Sequence, residues 1–478
     1  MIGIAILVIV LVFVAVVVIR TLRFKPTASP TIMEEEITFD KDKAVANLQA
    51  LVRCKTISNR NPELEDDAEF EKLIAMLPEL YPNVFKVCEF NRMPDRGLLF
   101  KWSGREAGDP AVMMSHYDVV PVNEEGWEKP PFEGILEDGV LWGRGTLDTK
   151  GTFNGVLFAA DHLIAQGFVP QHDVYFAFSG GEEINGAGAI HIVEWFRDQG
   201  ITPSMVLDEG GAVVENVFPG VTRPCGLIGI AEKGYLDVKY TAKSSGGHAS
   251  APKPHTPVGI LSRACYRMEG HPFKCRLTTP VAEMYDTLSR HSTKFYVRML
   301  FANLWCFERV LDLVCKRSGG DMNALMRTTV AFTQMAGSSA SNVIPPEASM
   351  VCNMRLNPEE TIDSAMEYIR KTVNDPEVDV SVAYGINPSR LSRTDCDGWD
   401  KVASCVASTW KGSIVAPYLM VQCSDSRHYG AISDKVYRFS AMDLTREERG
   451  TIHGHNERVR VEASHRTVEF YIRLMKLC

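Results

Sequence analysis

From residue 111 to residue 211 the chain alternates between short apolar runs and amphipathic segments, and this rhythm restricts its fold more than any other feature. AVMMSH (111–116), DVYFAF (173–178) and SMVLDEGG (204–211) read as strands. GTFNGVLFAADHLIAQG (151–167) and GAIHIVEWFRDQG (188–200) carry apolar residues at helical spacing. Such alternation predicts an α/β domain, a mostly parallel or mixed sheet flanked by helices. Residues 234–356 break the rhythm. Alternating YLDVKYTAKS leads into a helix-rich middle and returns to strands with ASMVCNMRL. The simplest account is a smaller α+β domain inserted at 234–356, dividing a first domain into residues 40–233 and 357–478.

The first 19 residues, MIGIAILVIVLVFVAVVVI, are apolar on every side. As a helix they would span ~28 Å, close to the thickness of a bilayer core. A cleaved signal peptide would carry a basic leading segment, which is missing here. The expectation is a retained single-pass anchor over residues 1–20, with a Pro- and Glu-bearing tether at 21–39. Arg20, Arg23 and Lys25 follow the apolar run, so the positive-inside rule leans the bulk of the chain toward the cytoplasm, with an extracytoplasmic location as the alternative. A net charge of −9, with no basic cluster interleaved with aromatics, argues against nucleic acid as a partner. The 12 cysteines are scattered singly without a C-x-x-C pair, which argues against a disulfide scaffold or a thiolate zinc site.

Acidic and imidazole side chains gather at the ends of the expected strands: SHYDVVP, GRGTLDTKG, SGGEE and LDEGG, with TIHGHNE near the C-terminus. Ligands bind open α/β sheets at the carboxyl ends of strands. Each motif alone is more often a surface turn, or a helix start favoured by the dipole. Surface turns, however, have no reason to place His, Asp and Glu at successive strand ends. Imidazole and carboxylate without cysteine suit a catalytic zinc site. Two histidines and three carboxylates can hold two metals when one carboxylate bridges, and such a pair polarises a carbonyl and activates water. A further carboxylate, not a ligand, is then needed as general base. This gives a physical reason for two adjacent glutamates.

In these motifs and their order the chain resembles the M20 family of zinc hydrolases over residues 40–478, with closest likeness to its carboxypeptidase S and N-acyl-amino-acid hydrolase branch. The resemblance implies two zinc ions, held by His116, Asp148 as the bridge, Glu183, Glu209 (or Asp208 in its place) and His453. It makes Asp118 the carboxylate that orients the His116 ring and Glu182 the general base. GGHASAP matches the family's lid motif, so His248 would stabilise the oxyanion. In that family this histidine closes in with the lid or comes from a partner subunit, which makes a homodimer through the inserted domain a candidate assembly. Asn342 and Arg355 would position substrate, and Arg427 in SDSRH would bind its free carboxylate. Cys423 stands where the branch usually carries glycine. The implied activity is hydrolysis of an amide or peptide bond beside a free carboxylate. The alternatives are a biosynthetic deacylase of N-acetyl- or N-succinyl-amino acids and an inactive binding protein of the same fold.

Overall fold

The apolar N-terminus forms helix α1 (Ile2–Arg23), long and apolar enough to cross a membrane. The computed structural model describes residues 1–27 and 29–478. Helix α2 (Lys41–Val52) starts at Asp40, whose side chain accepts from the Lys43 amide as an N-cap. There follow β1 (Glu89–Met93), β2 (Gly97–Trp102), β3 (Ala111–His116), α3 (Lys150–Ala165), β4 (Val174–Ser179), α4 (Gly188–Asp198), β5 (Met205–Val214) and β6 (Cys225–Glu232). The chain then passes through β7 (Gly234–Lys243), α5 (Pro257–Gly270), α6 (Thr279–Arg290), α7 (Phe295–Ala302) and α8 (Leu304–Ser318). After these come β8 (Thr329–Ala336), β9 (Glu347–Leu356), α9 (Ile362–Val373) and β10 (Val378–Ile386). It closes with β11 (Ile414–Met420), β12 (Val436–Leu444) and α10 (Val461–Lys476).

Eight strands make the larger, mixed sheet in the order β1-β2-β4-β3-β5-β12-β6-β11. Its centre is parallel: β3 pairs with β4 and with β5, and β5 with β12. All six residues of β3 and of β4 are buried, as expected for strands covered on both faces. Val174, Phe176 and Phe178 join the core that includes Phe153 and Leu157 of α3 and Tyr471 of α10. Tyr175 and Ala177 point the other way and pack with Ile192 and Phe196 of α4. Strand β5 changes partners along its length. It runs parallel to β3 and β12 at first, and its end pairs antiparallel with β6. Gly211 permits this crossing, since a Cβ there would lie 1.8 Å from the Leu227 carbonyl oxygen.

The smaller sheet has the order β8-β9-β7-β10 and is antiparallel. Strand β9 alternates between buried and more open residues, and α5 and α9 cover its buried face. This corrects the expected boundaries of the inserted domain. The sheet continues past residue 356 to use α9 and β10. Helix α6, expected inside the inserted domain, instead packs Val281, Met284 and Leu288 with Ala416 and Leu419 of β11. Helical periodicity records which face is apolar but not which sheet will cover it.

Candidate metal centre and active site

Because β4, β3 and β5 are neighbours, three motifs far apart in sequence meet at the same end of the sheet's central strands. His116 is the last residue of β3, Glu182 and Glu183 form a single turn just after β4, and Asp208 and Glu209 lie where β5 begins to change partners. Asp118 organises the first two. Its buried carboxylate accepts from the amides of Glu182 and Glu183 at 3.2 Å each and from Ser58 Oγ at 2.6 Å. His116 Nδ1 lies 3.3 Å from Asp118 Oδ1 and 3.0 Å from the Asp118 carbonyl oxygen, which leaves Nε2 directed into the site.

The two oxygens of Asp148 face one histidine each. Oδ1 is 3.0 Å from His116 Nε2 and Oδ2 is 3.0 Å from His453 Nε2. Glu183 approaches His453 Nε2 at 3.1 Å, and Glu209 Oε1 approaches His116 Nε2 at 3.5 Å. Ligand atoms of His116, Asp148 and Glu183 lie within 4.8 Å of one another, as do those of His116, Glu182 and Glu209. The structure therefore brings together His116, Asp148, Glu182, Glu183, Glu209 and His453. Asp208 Oδ2 accepts from the Ser426 amide at 2.9 Å. Of the two candidate ligands on β5, Glu209 is the one facing His116.

Electrostatics in the cluster reflect crowded like charge in a buried place. Burial pushes Glu182 well above the ordinary carboxylate range despite the opposing pull of His116. Burial together with the Asp148 charge raises Glu183, and pushes Glu209 up to about 8. Burial acts on Asp148 in the same sense, but hydrogen bonds from His116 and His453 outweigh it and hold this carboxyl below its usual value. His453 is pushed up to about 10 by its hydrogen bonds to Asp148 and Glu183. A set of two imidazoles and four carboxylates converging on a few ångströms has the donor chemistry for divalent cations, which would relieve this repulsion.

Two buried acids supporting the site were missed in the sequence. Glu457 belongs to the I-H-x-x-N-E pattern that carries His453, and that pattern was the signal available for it. Its Oε1 accepts from the amides of Gly145 (3.0 Å), Leu147 (2.8 Å) and Asp148 (3.2 Å), while Oε2 accepts from Arg144 Nη1 at 2.5 Å. It thus clamps the Asp148 loop to the His453 loop. Glu457→Ala strands the buried Arg144, so stability is expected to fall by about 3–5 kcal/mol in chemical denaturation. Glu457→Gln, which keeps an acceptor, should recover part of this. A denaturation midpoint equal to wild type would show that the loop is held by other groups. Glu232, at the end of β6, is the second: it receives Arg438 Nε at 2.5 Å and lies 3.4 Å from Arg427 Nη2.

The remaining expected residues stand apart from the cluster. His248 lies on a two-residue strand paired with Val343–Ile344, is exposed, and accepts from Ser250 at Nδ1. Asn342 is on the same ribbon, its carbonyl accepting from Ala249. Arg355, at the end of β9, stacks 4.6 Å from the Tyr235 ring centroid and reaches Cys423 Sγ at 3.8 Å. Arg427 donates to the Ser424 carbonyl at 2.8 Å. Among the described residues, none of these four makes a hydrogen bond or ion pair with the cluster.

The chain matches the model of peptidase family M20/M25/M40 over residues 112–477. It is 34% identical over 479 residues to an N-fatty-acyl-amino acid synthase/hydrolase of Xenopus tropicalis, covering 97% of this chain and 92% of that one. It is 32% identical over 473 residues to a probable carboxypeptidase S-like protein of Dictyostelium discoideum, covering 96% and 91%. Among solved structures, the M20 family metallo-carboxypeptidase of Sulfolobus solfataricus superposes with a TM-score of 0.65 at 16% identity, covering 91% of this chain and 98% of that one. Human carnosine dipeptidase 1 gives 0.63 at 15% identity, covering 91% and 96%, and these two likenesses speak to the fold. With family match, fold and clustered ligands in agreement, the chain belongs to peptidase family M20/M25/M40.

Proposed function

We propose that the protein is a membrane-tethered, two-zinc hydrolase that cleaves an amide or peptide bond next to a free carboxylate, its substrates being N-acyl amino acids or short peptides. The observation that carries this reading is the Asp148 carboxylate, set between two histidines with one oxygen toward each. In it, His116, Asp148, Glu183, Glu209 and His453 would hold the metal pair. When bound, a zinc pair supplies Lewis acidity and lowers the pKa of water. Glu182 is the general base. It takes a proton from the water that attacks the carbonyl carbon and returns it to the amide nitrogen as the C–N bond breaks, giving a carboxylate and an amine. Asp118 fixes the His116 ring and, through the amides of residues 182 and 183, the position of both glutamates. His248, exposed on its ribbon, reaches the oxyanion on closure of the smaller sheet or from a second copy.

Charge counting supports Arg427 as the reader of the substrate's carboxylate. Glu232 is shared between Arg427 and Arg438, so two guanidiniums face a single carboxylate in this group. Arg427→Ala should cost about 2–5 kcal/mol of substrate binding and largely abolish the preference for free acids over the corresponding amides. Equal acid-to-amide preference in wild type and variant would move this role to Arg355 with Asn342. For the activity as a whole, purified protein is offered N-acyl amino acids of increasing chain length and a set of dipeptides, before and after chelation. Metal-dependent release of the free amino acid is the expected result, and the acyl length preferred separates this reading from a deacylase of N-acetyl or N-succinyl substrates.

A further inference from the structure

The segment from α6 to α8 descends along α1. Arg290 lies over the Phe24 ring at 4.2 Å and donates to the Lys25 carbonyl at 2.9 Å. Lower down, Arg20 Nε donates to the Ala302 carbonyl, and buried Asn303 donates to the Val17 carbonyl and to Thr21 Oγ1. Lower still, Trp305 meets Phe13 edge-on, ring centroids 5.8 Å apart. These contacts run antiparallel to α1, and Phe13 is seven residues before Arg20. At 1.5 Å per residue, Trp305 therefore sits about 10 Å nearer the N-terminal end of α1 than Arg20 does. If α1 crosses a bilayer with Arg20 and Arg23 at its surface, the junction of α7 and α8, from Ala302 to Trp305, cannot remain in water.

Their surface suits that position. Phe295, Tyr296, Trp305, Val310, Leu313 and Val314 are exposed, Tyr296 by 60% and Trp305 by 58%. Exposed Lys294, Arg309, Lys316 and Arg317 accompany them, with Glu308 the one exposed acid on these two helices. Apolar and aromatic residues edged by basic ones, on short helices lying beside a membrane span, mark a surface that rests in the lipid interface. The same helices are anchored to the catalytic body: Val297 and Leu311 share a core with Met284 of α6 and Ala416 of β11.

We infer that α7 and α8 form a second, monotopic membrane contact, which dips below the headgroups beside α1 and seats the catalytic body on the bilayer in a fixed orientation. The occupant of this apolar face is lipid. The inference rests on α1 as a membrane helix, and the two can be tested apart. Retention of the full chain in the membrane pellet at alkaline pH reports α1. Tryptophan emission in vesicles of phosphatidylcholine brominated on its acyl chains reports the hairpin, because α1 contains no tryptophan. The expected result is a loss of emission relative to unbrominated vesicles that disappears in Trp305→Phe and shrinks in Leu313→Glu/Val314→Glu. Wild-type emission insensitive to bromine, or quenching unchanged in Trp305→Phe, overturns the proposal while leaving α1 intact. Release of the chain from the pellet overturns both.

Discussion

Glu182→Ala is expected to lower turnover by about 10²–10⁴-fold while the chain keeps its full metal content. The expectation follows from the division of labour between the adjacent glutamates. Glu183 and Asp148 both face His453 Nε2, at 3.1 Å and 3.0 Å, where the proposed reading places metal ligands. Glu182 sits on the other side, within reach of His116 and Glu209. Both backbone amides are held by Asp118, so truncating one side chain leaves the turn in place. Turnover assays and elemental analysis on the same preparation decide the matter. Since Glu182 also lies close enough to ligate, metal lost along with activity would make it a ligand and return the base to another group. Glu182→Gln, isosteric but unable to take the proton, should be as slow as the alanine variant.

Removal of metal should abolish hydrolysis altogether and lower the thermal midpoint. With the cations gone, Asp148, Glu182, Glu183 and Glu209 crowd one buried place with only two imidazoles to compensate. A ligand that binds only the folded state contributes about 2.7 kcal/mol at a hundredfold excess over its Kd, so chelation removes stability as well as activity. Zinc should restore both, and up to two ions per chain should be found. His116→Ala should reproduce the chelated state, because His116 contacts Asp148 and Glu209 together. An active preparation shown to be free of metal would refute the two-metal reading.

What could be read from the chain in advance was local. The apolar runs 111–116 and 174–178 are buried on both faces, and both strands formed within a residue of the expected bounds. The acids and histidines at the strand ends announced a polyvalent site, since such groups are costly to bury without a partner. The all-round apolar face of residues 1–19 announced a helix that no soluble core would cover.

The contacts that complete the site were not local. Sheet order placed β4 and β5 on either side of β3, and this alone converts three motifs into one cluster. Glu457 reaches back more than 300 residues to clamp the Asp148 loop, and Glu232 gathers Arg427 and Arg438. Only the structure shows that Glu209 approaches His116 while Asp208 accepts from the Ser426 amide. Likewise, nothing in the periodicity of 279–318 distinguishes packing on the larger sheet, or along α1, from packing inside an inserted domain. The sequence alone determined which side chains can ligate, bury or span, because these are properties of the residue and its near neighbours. Only the tertiary structure decided which of them meet, because strand order and long-range clamps depend on pairings between segments that carry no mark of their partner.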